Sequence, residues 1–373
     1  MKLLLPLLLY SIQVTAITLV PTPPPITANA YILQDFNSGK ILMEKDIDQR
    51  IEPASLTKLM TAYLIFQKLK TGQIKLDDIV TISEKAWRMT GSRMYLEVGT
   101  QVSVELLLKG MIIQSGNDAS IALAEFIGGT EKAFVSLMNE QVKQLGLIDT
   151  HYVNSTGMPD KQHYTTVQDL VTISKLLIRD FPEYYRWYSE QEMKYNNITQ
   201  SNRNRLLTRD VSVDGMKTGY TEKAGYCLVS SAKRSKMRLI SIVMGAKSDK
   251  IRIHESGMML DYGFRFFETF RIYEANQTLD LAKVWKGDKG QFQLGSAEIL
   301  YITIPKGQYN KLSATVFSDP YIMAPVLKGR NYGTLKITLE NQIVLEHPLI
   351  ALNSVNEGAL WEKLIDSFFL LLH

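Results

Sequence analysis

The sequence predicts a mixed α/β (α+β) fold: an antiparallel sheet with a cluster of helices, then a second, small all-β domain and a C-terminal amphipathic helix. Three observations predict it. Between Ser55 and Ile178 apolar residues recur at helical spacing. From Ser212 the period changes to that of strands. After about Ile272 the composition shifts to short alternating runs punctuated by Gly, Asn and Pro. At 373 residues the chain is long enough for two domains, or one large and one small.

Taken in order, the chain opens on "MKLLLPLLLYSIQVTA": one basic residue, Lys2, an apolar core, then Val14-Thr15-Ala16. This pattern reads as a signal peptide cleaved after Ala16 and predicts export. The competing reading is a transmembrane anchor, but Ser11 and Gln13 interrupt the apolar run well before the ~20 residues a bilayer needs. "VPTPPPIT", Val20 to Thr27, is a stiff spacer. "AYILQDFNSGKILMEKD" alternates around Asn37-Ser38-Gly39 and predicts a hairpin. Ser55 to Lys70 predicts a helix that stops at Gly72. Ser103 to Ile113 predicts a second, broken at "QSGND", and a third starts at about Ala119 with Asp118 as its cap. Glu131 to Leu145 and Val167 to Ile178 are also helical patterns. "YCLVSSAKRSKMRLISIVMGA" predicts two antiparallel strands joined near Arg234-Ser235, and "SDKIRIHESGMMLDYGFRFF" returns to a helical period. "AKVWKGDKGQFQL", "LYITIPKGQ" and "GTLKITLENQIVLEHPLIAL" are the strands of the all-β domain. In the closing "NEGALWEKLIDSFFLLLH", Leu360, Trp361, Leu364, Ile365, Phe368, Phe369 and Leu372 share one helical face; Glu362, Lys363, Asp366 and Ser367 share the other. Such a helix lies in a membrane interface or docks on its own domain. Its charges exclude a transmembrane span. The expected boundaries are 1–16 for the leader, 17–30 for a linker, 31–272 for the large domain, 273–353 for the all-β domain and 354–373 for the tail helix.

Composition excludes several classes. The apolar fraction of 45% and charged fraction of 21% are those of a globular protein. A formal charge of +4, with no basic stripe or stacking motif, does not point to nucleic acid. Cys227 is the single cysteine, so no intrachain disulfide forms, and it reads as a small buried hydrophobe. His151, His163, His254, His347 and His373 show no ligand spacing, and neither metal nor cofactor is implied.

Three short motifs each occur twice, and placement discriminates between the copies. Ser55-Leu-Thr-Lys58 falls in the first turn of a helix, where residues three apart share a face, so the lysine amine can reach the hydroxyl. A serine needs such a base to become a nucleophile, and a lysine can supply one if burial and another cation depress its pKa. The competing reading is a capping serine and a solvated lysine. Ser230 and Lys233 lie in a strand pattern, where i and i+3 face opposite ways, and cannot form a dyad. Ser115-Gly-Asn117 interrupts two apolar helices and must aim its side chains somewhere; a plain turn is the alternative. Ser354-Val-Asn356 lies in a linker with no such context. Lys70-Thr71-Gly72 is explained as a helix C-terminus. Lys217-Thr218-Gly219 precedes a strand pair and is not so explained; an edge strand there can pair with an extended peptide, Gly219 permits close approach, and Lys217 supplies a second cation to lower the Lys58 pKa.

Ser55-x-x-Lys58, Ser115-x-Asn117 and Lys217-Thr-Gly, in that order, resemble the active-site serine penicillin-recognising enzymes. "PASLTKLMTAYL", "GMIIQSGNDASIALAE", "NRNRLL", "VDGMKTGYT" and "GFRFFET" resemble D-alanyl-D-alanine carboxypeptidases of the low-molecular-mass penicillin-binding group over nearly the whole chain. The resemblance implies a penicillin-recognising transpeptidase-like fold for 31–272 and a serine DD-peptidase activity there. Ser55 would attack the carbonyl between the two terminal D-alanines of a peptidoglycan pentapeptide stem, with Lys58 as base and Ser115 and Asn117 completing the proton and substrate network. The backbone N–H groups of Ser55 and Tyr220 would form the oxyanion hole. Thr218, Arg203 and Arg252 would hold the terminal carboxylate, the alternative for either arginine being an exposed surface charge. Tyr220 departs from the usual residue after the Lys-Thr-Gly triplet, and crowding by its ring would alter turnover or drug affinity. β-Lactams are implied as inhibitors, and the location is the periplasmic face of the bacterial inner membrane, held peripherally by the tail. A β-lactamase on this scaffold would need an added glutamate between the second and third motifs; Asp160 and Glu183 lie in that interval but not in the required context. A non-catalytic wall-binding protein need not keep a nucleophile. Endopeptidase action on cross-links stays open.

Overall fold

A computed structural model describes residues 20–370. The leader expected at 1–16 lies outside them, as does Leu372 of the tail. The central sheet has five antiparallel strands in the order Ile41–Lys45, Ala30–Asp35, Met237–Ala246, Gly225–Arg234, Val213–Thr221. The two strands predicted around Arg234-Ser235 are present, with Arg234 opposite Met237. So is the N-terminal hairpin, whose first strand pairs with Met237–Ala246, Ile32 opposite Ile242.

Both faces of the sheet are covered, which is why its middle strands are almost continuously apolar. Side chains alternate between two cores. Ile32, Ile240 and Ile242 face the helical cluster, together with Leu59, Leu108 and Leu170. Leu33, Leu239 and Val243 face the other way, onto Met259 and Leu260 of the helix Asp249–Phe266. The helix Lys58–Lys70 runs through the larger core and is buried over most of its length. It stops as expected: Gly72 has φ +69, and Lys70 Nζ donates to the Asp180 carbonyl at 3.0 Å. The first Lys-Thr-Gly copy is therefore structural.

Val104–Ile113, Glu131–Gln144 and Val167–Asp180 are capped by the hydroxyls of Ser103, Thr130 and Thr166. The third helix departs from expectation. It spans Asn117–Gly128 with Gly116 at the N-cap, and Asp118 sits in its first turn. The buried Asp118 carboxylate instead accepts from Met94 N at 3.0 Å and Leu96 N at 3.1 Å. A neighbouring loop supplies donors that no sequence pattern reveals.

Residues from Phe267 on form the β-rich part. Phe267–Tyr273, within the stretch expected to close the large domain, pairs with Leu300–Pro305. The second sheet has the order Thr278–Lys283, Gln291–Gly295, Gln342–Ala351, Asn331–Leu339, Leu312–Ser318. It surrounds its own core, which includes Leu294, Ile302, Leu335 and Leu349. The joint between the two parts is a hydroxyl–carboxylate cluster. Buried Asp35 accepts from Ser38 Oγ at 3.0 Å and Thr269 Oγ1 at 2.7 Å, and the Thr303 hydroxyl hydrogen-bonds to both hydroxyls.

The tail helix spans Leu360–Leu370. Its apolar residues are not covered by the domain: Leu360 is 79% and Trp361 77% exposed, and Leu364, Ile365, Phe368 and Phe369 are also open. The docked-helix alternative therefore fails for this face. The polar side is the one turned inward, with Asp366 accepting from the Lys286 N–H. Among the described residues no helix is long and apolar enough to cross a membrane.

Candidate active site

The sequence "IEPASLTKLM" turns before it becomes an α-helix. Ala54–Thr57 is a 3₁₀ turn and the α-helix starts at Lys58. In a 3₁₀ turn residues three apart eclipse one another, so Ser55 and Lys58 stand in line more directly than in the α-turn expected. Ser55 caps nothing, which removes the capping alternative. Its hydroxyl accepts from Lys58 Nζ at 3.2 Å. The same amine donates to Asn117 Oδ1 at 2.7 Å and the Thr156 carbonyl at 2.6 Å, and Lys58 is only 1% exposed.

Burial lowers the Lys58 pKa to about 7, against the opposing pull of Asp118. Of the two expected causes, burial is the dominant one. Lys217 is likewise held well below the ordinary lysine value, by burial first, then by the positive charges of Lys58, Arg252 and Arg203.

The cleft has a volume of about 1010 Å³ and is lined by Ser55, Ser115, Asn117, Arg203, Thr218, Gly219, Tyr220 and Arg252, among others. Ser115 has φ 65 and is 3% exposed. Its Oγ is buried without a hydrogen-bond partner among the described residues, so it is not linked to Lys58 or Lys217 here. Asn117 takes the Lys58 proton donor on Oδ1, and its Nδ2 donates to Thr90 O at 2.7 Å. Part of the amide expected for substrate is thus committed to the protein.

Lys217-Thr218-Gly219 lies within the strand Val213–Thr221, at the edge of the sheet, rather than before it. Lys217 Nζ donates to Thr218 O at 3.0 Å. Gly219 does permit a close approach, though to the turn that carries Ser55. A Cβ there would lie 3.2 Å from Ala54 Cβ and 3.3 Å from Ser55 N. Tyr220 is half-exposed, its ring 4.4 Å from that of Tyr226 opposite it on the next strand. Arg252 is buried, not a surface charge. Its Nη1 donates to Gly219 O at 2.9 Å and Cys227 O at 3.1 Å, and its Nε and Nη2 grip Asp249 at 2.9 and 2.5 Å. Arg203 is exposed in the cleft wall, with Nε on Gln114 Oε1 at 3.1 Å.

The comparisons with known proteins follow the same outline. A family model described as D-alanyl-D-alanine carboxypeptidase matches residues 17–248. The chain belongs to the D-alanyl-D-alanine carboxypeptidase family. A second model, for the penicillin-binding protein 5 C-terminal domain, matches 267–357. Within the family, the chain is 44% identical over 358 residues to D-alanyl-D-alanine carboxypeptidase DacC of Escherichia coli (strain K12), covering 94% of this chain and 90% of that protein. The structure of penicillin binding protein 5 from Haemophilus influenzae matches with a TM-score of 0.88 at 44% identity, covering 90% of this chain and all of that one. Penicillin-binding protein D2 from Listeria monocytogenes, in its ampicillin-bound form, matches with a TM-score of 0.60 at 29% identity, over 65% of this chain and 100% of that one.

In this family member, sequence reading missed the loop behind Ser55. Asn154 Oδ1 accepts from Gly157 N at 2.7 Å and Met158 N at 3.1 Å, and Ser155 O accepts from Thr61 and Ser120 hydroxyls at 2.8 Å. The loop is thereby fixed against two helices and delivers Thr156 O to Lys58. Gly157, at φ +89, packs its bare Cα against the Ala54 carbonyl. That carbonyl also accepts from Thr57 Oγ1 at 2.8 Å, which is 2.8 Å from His163 Nε2. Val153 N donates to His163 Nδ1 at 3.3 Å, so Nε2 carries the proton and donates to Thr57. Burial keeps the ring neutral, its pKa lowered to about 4. Ala54 itself holds φ 48, a strained value for alanine, and is clamped there from both sides. The only signal in "VNSTGMPD" was that of a turn.

Proposed function

We propose that the protein is a serine-type D-alanyl-D-alanine carboxypeptidase that removes the terminal D-alanine of peptidoglycan pentapeptide stems through an acyl-enzyme on Ser55. One observation carries the assignment: a hydroxyl at the mouth of the cleft hydrogen-bonded to a buried lysine whose pKa lies near neutrality. Neutral Lys58 takes the Ser55 proton as Oγ attacks the carbonyl. The N–H groups of Ser55 and Tyr220 receive the negative charge that develops on oxygen. The proton returns to the leaving amine by way of Ser115, which lines the cleft and whose hydroxyl is uncommitted to any other group among the described residues. Water then hydrolyses the ester. Thr218 and Arg203 hold the substrate carboxylate. Arg252, with most of its donors spent on the strand and Asp249, adds charge and holds the edge strand in place.

β-Lactams enter as acylating inhibitors in this reading. Among the described residues lining the cleft Asp249 is the only carboxylate, and Arg252 holds it. No second base therefore stands ready to hydrolyse a penicilloyl ester quickly. Release of D-alanine from a synthetic pentapeptide, with nitrocefin turnover slower by orders of magnitude, is the expected result. The reverse ratio would make the protein a β-lactamase.

The pH dependence follows from the sign of the Lys58 shift. The base is competent only when deprotonated, so acylation by a fluorescent penicillin should fall about tenfold per pH unit below about 7 and level off above it. A rate independent of pH between 5 and 8 would remove Lys58 as the base.

The protein is further proposed to be exported and held peripherally on the periplasmic face of the inner membrane by the tail. The exposed row from Leu360 to Phe369 supports this. Deleting residues 360–373 should move the protein from the membrane to the soluble fraction with D-alanine release from a soluble peptide unchanged. Fractionation and assay of the truncated chain check it, and continued membrane association would reject the tail as anchor.

A further inference from the structure

The end of the β-rich part from which the tail helix leaves brings three segments side by side. Trp285 bridges Met323, Gly287 bridges Glu357, and Val326 bridges Val355. Gly358 N donates to Lys286 O at 2.8 Å, and Lys328 N donates to Ser354 Oγ at 3.1 Å. Along this rim Lys289, Lys328 and Arg330 are exposed, and no ion pair holds any of them among the described residues. Of the acids beside them, Glu357 pairs with Lys363 at 2.5 Å, while Asp288, Asp319 and Asp366 are tied to the backbone N–H groups of Asn356, Tyr321 and Lys286. On the segment that carries Lys328 and Arg330, Tyr321, Met323 and Leu327 are exposed by 51%, 44% and 51%. Apolar tips flanked by unpaired cations match a lipid interface: the tips reach the acyl boundary while the charged heads stay at the level of the phosphates.

We propose that this rim is a second membrane contact, selective for anionic lipid, in which Lys289, Lys328 and Arg330 face headgroup phosphates and Tyr321, Met323 and Leu327 enter the interface. The inference rests on the tail-anchor reading and goes beyond it. The tail's polar face carries Glu362 and Asp366 against a single Lys363, so the helix by itself binds through apolar area and gives no preference for anionic lipid. The rim provides that preference. Because rim and helix leave the same end of one domain, the first contact raises the effective concentration of the second.

Flotation of the full chain with vesicles of phosphatidylcholine alone, and with a third of the lipid replaced by phosphatidylglycerol, tests this at two salt concentrations. The wild-type chain should prefer anionic vesicles at least about tenfold at low salt, and less at high salt. The Lys289→Gln/Lys328→Gln/Arg330→Gln variant should lose about fivefold per cation on anionic vesicles. Its binding to neutral vesicles and its D-alanine release should stay unchanged. Tyr321→Ser/Leu327→Ser should weaken binding to both kinds of vesicle. Equal wild-type binding to the two vesicles, or an intact preference in the triple variant, overturns the proposal; a rim made for a protein partner would give that result. The tail reading is scored separately, by whether removing residues 360–373 abolishes binding to neutral vesicles.

Discussion

Ser55→Ala is expected to abolish covalent labelling by a fluorescent penicillin and to lower D-alanine release by about 10⁶-fold, the loss typical of removing a serine nucleophile. The fold should survive. Ser55 is half-buried, and its side chain makes one hydrogen bond, to Lys58. Lys58 keeps Asn117 Oδ1 and Thr156 O as acceptors when that bond is lost. The melting temperature should therefore move by no more than a few degrees. In the wild-type chain, mass mapping should place the adduct on the peptide containing Ser55. An adduct elsewhere, or unchanged labelling of the variant, would reject the mechanism.

Gly157→Ala should be the most damaging substitution outside the motifs. A methyl group there overlaps the Ala54 carbonyl oxygen, and φ +89 is strained for any residue with a side chain. Either the 154–158 loop or the Ser55 turn must move. In the first case Lys58 loses Thr156 O; in the second the nucleophile leaves its line with Lys58. A displacement of about 1 Å at such a site costs on the order of 10²-fold in rate. The overlap and strain together should cost roughly 1–3 kcal/mol or more of stability. Gly72→Ala is the control: φ is +69 but nothing lies within 4 Å of the added methyl, so a stability loss of about 1 kcal/mol with normal acylation is expected. Penicillin acylation kinetics and thermal melts of both variants decide the matter. Equal effects on acylation would show that Gly157 matters only for its backbone conformation.

Local periodicity made much of this site legible. Ser55 and Lys58 could be paired because a helical turn converts a spacing of three into a contact. The discarded Ser230 and Lys233 confirm the converse: in the strand Gly225–Arg234, Ser230 is buried and Lys233 exposed. The second Lys-Thr-Gly copy could be singled out because the first was accounted for by its helix end. What could not be read depends on contacts between distant segments. The 154–158 loop matters through where it lies against Ala54, and Asp118 turns to a loop over twenty residues away. Arg252 looked available for a carboxylate because nothing in "SDKIRIHES" shows that its donors would meet Gly219 and Cys227. Burial is one expected cause of the Lys58 shift, but how deep the lysine lies is a property of the packed core and could not be read from the motif.

The cluster around Asp35 also sets one point where mechanical tension would enter the large domain. A pull on the tail passes through the β-rich part and reaches the large domain at two places, the strand Ala30–Asp35 through this cluster and the end of the helix Asp249–Phe266 along the chain. The strand carrying Lys217 is an edge of that sheet, three positions along from Ala30–Asp35. Along the sheet, drag by a moving polymer would have to distort three ladders of backbone hydrogen bonds before it reached Lys217, and along the helix it would have to pass from Phe266 to Arg252 before it reached Gly219 O, so the tether can flex while the cleft stays still.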